Sequence, residues 1–132
     1  MILDTSFIID YIEGKKSAKR KYDKLKAEEE KIILTPVNSY ELYKGAEKYY
    51  KTGKEQEKIE KALEKIPAEK VPISWVQGKE TANIENRLKE NGNMIETLDI
   101  MIAALAFERD ELVLTGNPDH FEKVEGIEVE SY

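Results

Sequence analysis

The stretch Leu98–Phe107, LDIMIAALAF, is apolar on nearly every helical face and carries one carboxylate, Asp99, near its start. A helix of this kind has no side to offer to water, so other elements must enclose it. Its uninterrupted apolar run, Ile100 to Phe107, falls far short of the roughly 20 residues that span a bilayer. We therefore expect a central core helix, no membrane segment and, with no charged-then-apolar signal at the N-terminus, a cytoplasmic location. At 132 residues the chain is long enough for one compact domain and too short for two ordinary ones.

The remaining segments supply the enclosing layers. MIL, KIIL, KVPI, ELVLT and IEVES read as short strands, with Pro72 placing KVPI at an edge and IEVES forming a last edge strand. Helices are expected after Thr5 or Ser6 as cap through FIIDYI, over SAKRKYDKLKAEEE, from Thr35 as cap with Pro36 at the first position, and over EQEKIEKALEKI. A long helix from Ser74 to Asn91 presents Trp75, Ala82 and Leu88 in this reading. Strands alternating with helices predict an α/β domain with a mostly parallel sheet and helices on both faces. Ligands of such sheets collect beyond the carboxyl ends of the strands. Asp4 ends MIL and Asn117 lies just past LVLT, so both belong to one crevice.

Asp4 and Asp99 stand in runs that otherwise read as buried hydrocarbon, and an unpaired buried carboxylate costs several kcal/mol. Something positive is expected beside them. Glu41 lies at the boundary of an apolar stripe, with Val37 four residues before it and Gly45 four after. Taken singly, each acid has an ordinary role: Asp4 as a turn former, Glu41 as a solvated helix residue, Asp99 as a first-turn acid favoured by the helix dipole. Taken together, acids at the ends of three buried elements repel one another unless they share a divalent cation. Oxygen ligands without nearby Cys or His select Mg²⁺ or Mn²⁺ over zinc, and such a cluster suits metal-assisted phosphodiester hydrolysis.

Composition removes the competing chemistries. There is no Cys, which excludes disulfides, thiolate metal sites and a thiol nucleophile. The single histidine, His120, excludes multi-histidine zinc sites and paired-histidine ribonuclease chemistry. A net charge of −6 argues against indiscriminate nucleic-acid binding, yet it leaves local basic faces. Lys15, Lys16, Lys19, Arg20, Lys21, Lys24 and Lys26 form one run, and Lys44, Lys48 and Lys51 form a ladder at helical spacing. Both read first as solvated helix faces, with an RNA or anion track as the alternative.

Four segments in order, MILDTSFIIDYI, TPVNSYELYKGA, TLDIMIAALA and LVLTGNPDHFEKVEGIEVE, span almost the whole chain. This ordered set resembles PIN-domain ribonucleases, and within them the VapC-type toxins of type II toxin–antitoxin pairs. The resemblance implies a PIN-like three-layer fold, with residues 1–132 as a single PIN domain. It implies an endoribonuclease using Mg²⁺ or Mn²⁺, with Asp4, Glu41 and Asp99 as metal ligands, that hydrolyses RNA to 5′-phosphate and 3′-hydroxyl ends. The family often has a fourth acid two residues after the Thr that ends the fourth strand. Here that position is Asn117, with Asp119 two residues further on, so the fourth place and the number of metals stay open. Thr5, Ser6 and Thr115 match small hydroxyl positions beside the acids. Relatives are usually homodimers that bind a small antitoxin, which implies RNA, a VapB-like antitoxin and a second copy of the chain as partners. A housekeeping RNA-processing PIN nuclease without an antitoxin and a non-catalytic PIN binding module are the alternatives.

Glu96 reads as a loop or first-turn acid. Phe121 is expected to anchor its loop in the core while the His120 imidazole stays exposed, with an RNA contact as the minor reading. Tyr40, Tyr43, Tyr49 and Tyr50 read as packing or dimerisation residues, with base stacking as the alternative.

Overall fold

The computed structural model describes residues 1–49 and 53–132, with the main chain alone for residues 47–49. Strands β1 (Ile2–Leu3), β2 (Ile32–Leu34), β3 (Ala68–Lys70), β4 (Val113–Leu114) and β5 (Val129–Glu130) form one sheet in the order β3-β2-β1-β4-β5. Every pairing is parallel. The helices are α1 (Thr5–Ile12), α2 (Lys16–Ala27), α3 (Pro36–Tyr49), α4 (Lys54–Lys65), α5 (Trp75–Glu90), α6 (Thr97–Arg109) and α7 (Pro118–Phe121).

Strands β1, β2 and β4 are uninterrupted apolar runs because helices cover both faces. Their side chains alternate between two cores. Ile2, Ile33 and Val113 pack with α5, α6 and Phe121 of α7, and Leu3, Leu34 and Leu114 pack with α1, α2 and α4. Helix α6 is the enclosed helix its sequence demands, with Ile100 and Ile102 through Ala106 buried. Helix α3 joins both layers, giving Val37 to the first core and Leu42 and Ala46 to the second. This double attachment fixes the helix that carries Glu41.

The structure departs from the sequence reading in several local features. Asp4 itself caps α1, in place of Thr5 or Ser6. At the start of α3 the side-chain oxygen comes from Asn38, whose Oδ1 accepts from the Thr35 N–H at 2.7 Å and the Thr35 hydroxyl at 3.1 Å. Strand β3 begins at Ala68, earlier than KVPI suggested, and Pro72 falls beyond its end because it has no N–H for the ladder. It remains an edge strand. Helix α5 turns Gln77, Ile84 and Leu88 inward and leaves Ala82 exposed and Trp75 96% exposed. A capping box between Ser74 and Gln77 sets that phase by drawing Gln77 into the protein.

Tyr43 packs against the second core, whereas Tyr40 is exposed with the Lys44 ammonium 5.3 Å from its ring centre. Tyr50, Lys51 and the side chains of Lys48 and Tyr49 lie outside the described residues. Among the described residues no helix is long and apolar enough to cross a membrane.

Candidate active site

Strand order reverses at β1, with β2 and β3 on one side and β4 and β5 on the other. Parallel sheets open a crevice at such a switch, beyond the strands' carboxyl ends. Asp4 follows β1 and Thr115 follows β4, so the two face each other across it. The Asp4 N–H donates to the Leu114 carbonyl at 2.9 Å, extending the ladder into the site.

Asp4 is buried, with 4% of its surface exposed. Its Oδ1 accepts from the Thr5 N–H at 2.7 Å, and its Oδ2 accepts from the Ser6 hydroxyl at 2.5 Å and the Thr115 hydroxyl at 2.8 Å. Within the protein, Asp4 is supported by two hydroxyls, a main-chain N–H and the start of α1. Hydrogen-bond donors satisfy the carboxylate without neutralising its charge.

The donors are themselves anchored. Ser6 Oγ accepts from the Gly116 N–H at 2.8 Å, and Thr115 Oγ1 accepts from the Asn117 N–H at 2.9 Å. A Cβ at position 116 would stand 2.9 Å from the Tyr132 hydroxyl and 3.3 Å from Ser6 Oγ, so this close approach requires glycine. Tyr132 donates to Asp10 at 2.8 Å, and its ring stands edge-on to Phe7.

Glu41 and Asp99 bring the charge. Asn38 Nδ2 donates to the Leu3 carbonyl at 3.0 Å and to Thr5 Oγ1 at 3.1 Å. Burial pushes the Glu41 carboxyl above its ordinary range, and the charges of Asp4 and Asp99 add to the shift, while Thr5 and Lys44 oppose it. Asp99, in the first turn of α6, is raised chiefly by burial and further by Asp4 and Glu96. His120 opposes that shift, with Nδ1 2.8 Å from Asp99 Oδ2. An ionised carboxylate only accepts, so Nδ1 carries the hydrogen in that bond.

The imidazole expected to stay exposed thus sits on an acid of the cluster, although 42% of its surface still meets solvent. Phe121, fully buried, seats it there. Asn117 joins the network through its main-chain N–H, and Asp119 is exposed in the first turn of α7. Among the described residues neither of their side chains is hydrogen-bonded to Asp4, Glu41 or Asp99. Glu96 precedes α6 and is exposed. Sequence reasoning missed Asn38 and the His120–Asp99 contact. Asn38 had a local signal, an Asn in the first turn after Thr35-Pro36, whereas the His120 contact depends on tertiary docking of α7.

The donor chemistry of Asp4, Glu41 and Asp99 fits a hard cation: oxygen only, partly desolvated and mutually repelling. Among the described residues no lysine or arginine forms an ion pair with any of them. As they stand, no three His, Cys, Asp or Glu side chains among the described residues are grouped closely enough to hold one ion.

A family model described as the PIN domain matches residues 1–127. The tRNA(fMet)-specific endonuclease VapC of Shigella flexneri is 27% identical over 131 residues, covering 99% of this chain and 96% of that protein. Among solved structures, VapBC2 from Rickettsia felis bound to a DNA fragment from their promoter superposes with a TM-score of 0.87 at 21% identity, covering 99% of this chain and 97% of that one. DNA-bound VapBC from Salmonella typhimurium gives 0.84 at 24% identity, covering 98% and 96%. These structural likenesses establish a shared fold. With the crevice at the β1–β4 switch and a family match over nearly its whole length, the chain belongs to the PIN-domain family.

Proposed function

We propose that this chain is a metal-dependent endoribonuclease and the toxin of a VapBC-type pair, working in the cytoplasm as a homodimer restrained by a VapB-like antitoxin. What supports the reading is that Asp4, Glu41 and Asp99, from three separate elements, lie near enough to the strand-order switch of a PIN domain to feel one another's charge. The VapC relative and the VapBC complexes of the same fold support the toxin assignment.

In this reading Asp4, Glu41 and Asp99 hold Mg²⁺ or Mn²⁺, and Asn117, seated through its N–H on Thr115, is preferred over Asp119 for the fourth position. The ion's contribution when bound is a more acidic attacking water and neutralisation of charge on the phosphate. The protein's own part is to keep the carboxylates aimed. Ser6 and Thr115 lock Asp4, and His120 holds Asp99.

Cleavage of synthetic RNA in Mn²⁺, with a chelated control, tests the assignment. Asp4→Asn, Glu41→Gln and Asp99→Asn should each fall to background, a loss of at least about 100-fold. Full activity in the Asp4 or Asp99 variant would remove those residues from the site, and activity that survives chelation would remove the metal. Asn117→Ala should impair cleavage more than Asp119→Ala, and the opposite ranking transfers the fourth position to Asp119. A short neighbouring open reading frame whose product inhibits cleavage separates a toxin from a housekeeping RNA-processing nuclease.

A further inference from the structure

Helix α4 contains lysines and glutamates in equal number and sorts them by face. Lys54, Lys58, Lys61 and Lys65 recur at i, i+4, i+7 and i+11, which makes one ridge. All four line a groove of about 670 Å³ whose far wall includes Lys19 of α2 and Tyr11 of α1. Glu57 is the one acid in that lining, and it is tied to Lys61 at 2.7 Å. Glu60 and Glu64 do not line it.

This sorting runs against the helix's own interest. Like charges three and four residues apart repel, and a merely solvated helix gains from interleaving opposite charges. Here Lys54 and Lys58, Lys58 and Lys61, and Lys61 and Lys65 are like-charged neighbours on one ridge, within a chain of net charge −6. The Glu57–Lys61 pair offsets part of this repulsion, and the ridge still presents four lysines to one groove.

The groove continues toward the carboxylates. A second groove, of about 290 Å³, shares Ile12 and Lys58 with the first and is lined by Glu41. Its other acids, Glu13 and Glu55, confine the attraction for an anion to the outer, lysine-lined stretch. Tyr11, half-buried against Tyr22 with ring centres 4.8 Å apart, adds an aromatic wall. Evenly spaced cations beside an aromatic surface are how sequence-tolerant grooves hold a single strand, through its phosphates and bases.

We propose that the lysine groove between α2 and α4 is the track for the phosphate backbone of the RNA strand flanking the cleaved bond. This rests on the nuclease reading above and adds where the substrate lies. An acidic peptide is the competing occupant, and the continuity with Glu41 favours the strand.

The test is fluorescence anisotropy of the full chain with a labelled single-stranded RNA of roughly 12 nucleotides, within the range such grooves hold. Chelator is present, and salt is varied from about 50 to 200 mM. Lys58→Gln/Lys65→Gln is compared with Lys79→Gln/Lys89→Gln, an equal charge change at exposed positions of α5. The groove pair should bind about 10-fold more weakly and lower the log–log salt slope by about 1.4, from roughly 0.7 per lost phosphate contact. The α5 pair should change affinity less than about 2-fold, and Lys58→Arg/Lys65→Arg should restore binding.

A groove pair no weaker than the α5 pair overturns the proposal, as does a polyglutamate peptide that outcompetes RNA for the groove. Wild-type cleavage with no groove effect would leave the nuclease reading standing and this one refuted. Groove-dependent RNA binding by a wild-type chain that cleaves nothing would support the track and refute the nuclease.

Discussion

The two walls of the crevice hold their acids in opposite ways. On the strand side, Asp4 is buried and accepts from three donors, of which the two hydroxyls are fastened to the loop after β4. On the helix side, Glu41 and Asp99 are half-buried and pushed above the ordinary carboxylate range, with the His120 imidazole on Asp99. Geometric order resides in the strand wall, and electrostatic tension resides in the helix wall. In the proposed function, a fixed point and two strained charges ask different things of a cation: registration at Asp4, and neutralisation at Glu41 and Asp99.

Stability separates the walls most sharply. Asp4→Ala removes the α1 cap and leaves the Ser6 and Thr115 hydroxyls without their acceptor, so it should lose about 3 kcal/mol in metal-free denaturant unfolding. Glu41→Gln and Asp99→Asn remove repulsion and should unfold at or above the wild-type midpoint. Equal losses in all three variants would erase the distinction.

The pH dependence tests the same contrast with a smaller effect. Glu41 and Asp99 titrate in the folded protein above their unfolded values of 4.5 and 3.8, so folding binds protons. The stability they contribute is full below those values and is lost as pH rises through the folded pKa. Asp10 and Glu69 are shifted the other way, so the informative quantity is the variant-minus-wild-type difference. In metal-free melts Glu41→Gln and Asp99→Asn should gain on the wild type as pH rises from about 4 to 7, since a neutral side chain escapes that loss. A flat difference would mean that the two acids do not carry the tension.

His120 sharpens the helix wall further. His120→Ala should weaken Mn²⁺ binding about 10-fold, measured by titration without RNA, because a group that orients a ligand is lost. His120→Gln retains a donor and should lie between alanine and wild type. Identical losses in the two would assign the effect to packing.

The contrast also explains what the sequence made legible. Asp4 and Asp99 were conspicuous because hydrocarbon surrounds them along the chain, and the alternation of short apolar runs with helical segments was enough for a parallel α/β sheet. The donors that hold Asp4 were not legible, since the Ser6 and Thr115 hydroxyls meet it only at the folded β1–β4 junction. Trp75 was misplaced because its spacing from Ala82 suits an inward stripe, while the Ser74–Gln77 capping box sets the phase. His120 and Asp99 meet only once α7 docks on α6, so no local pattern announces the contact. The lysines of α4 were not singled out in the sequence, because the facing wall from α1 and α2 exists only in the fold.

The contact between position 116 and the Tyr132 hydroxyl makes the identities of two distant residues interdependent. An alanine at 116 meets that oxygen head-on in the present background, whereas Tyr132→Phe withdraws it and keeps a ring to stand against Phe7. The same two substitutions are therefore admissible in one order and obstructed in the other. Loss of the phenol oxygen at 132 thus relaxes the tighter of two contacts at position 116, and Ser6 Oγ at 3.3 Å keeps the other. The side chain admissible beside Asp4 is thereby set partly by a residue at the far end of the chain.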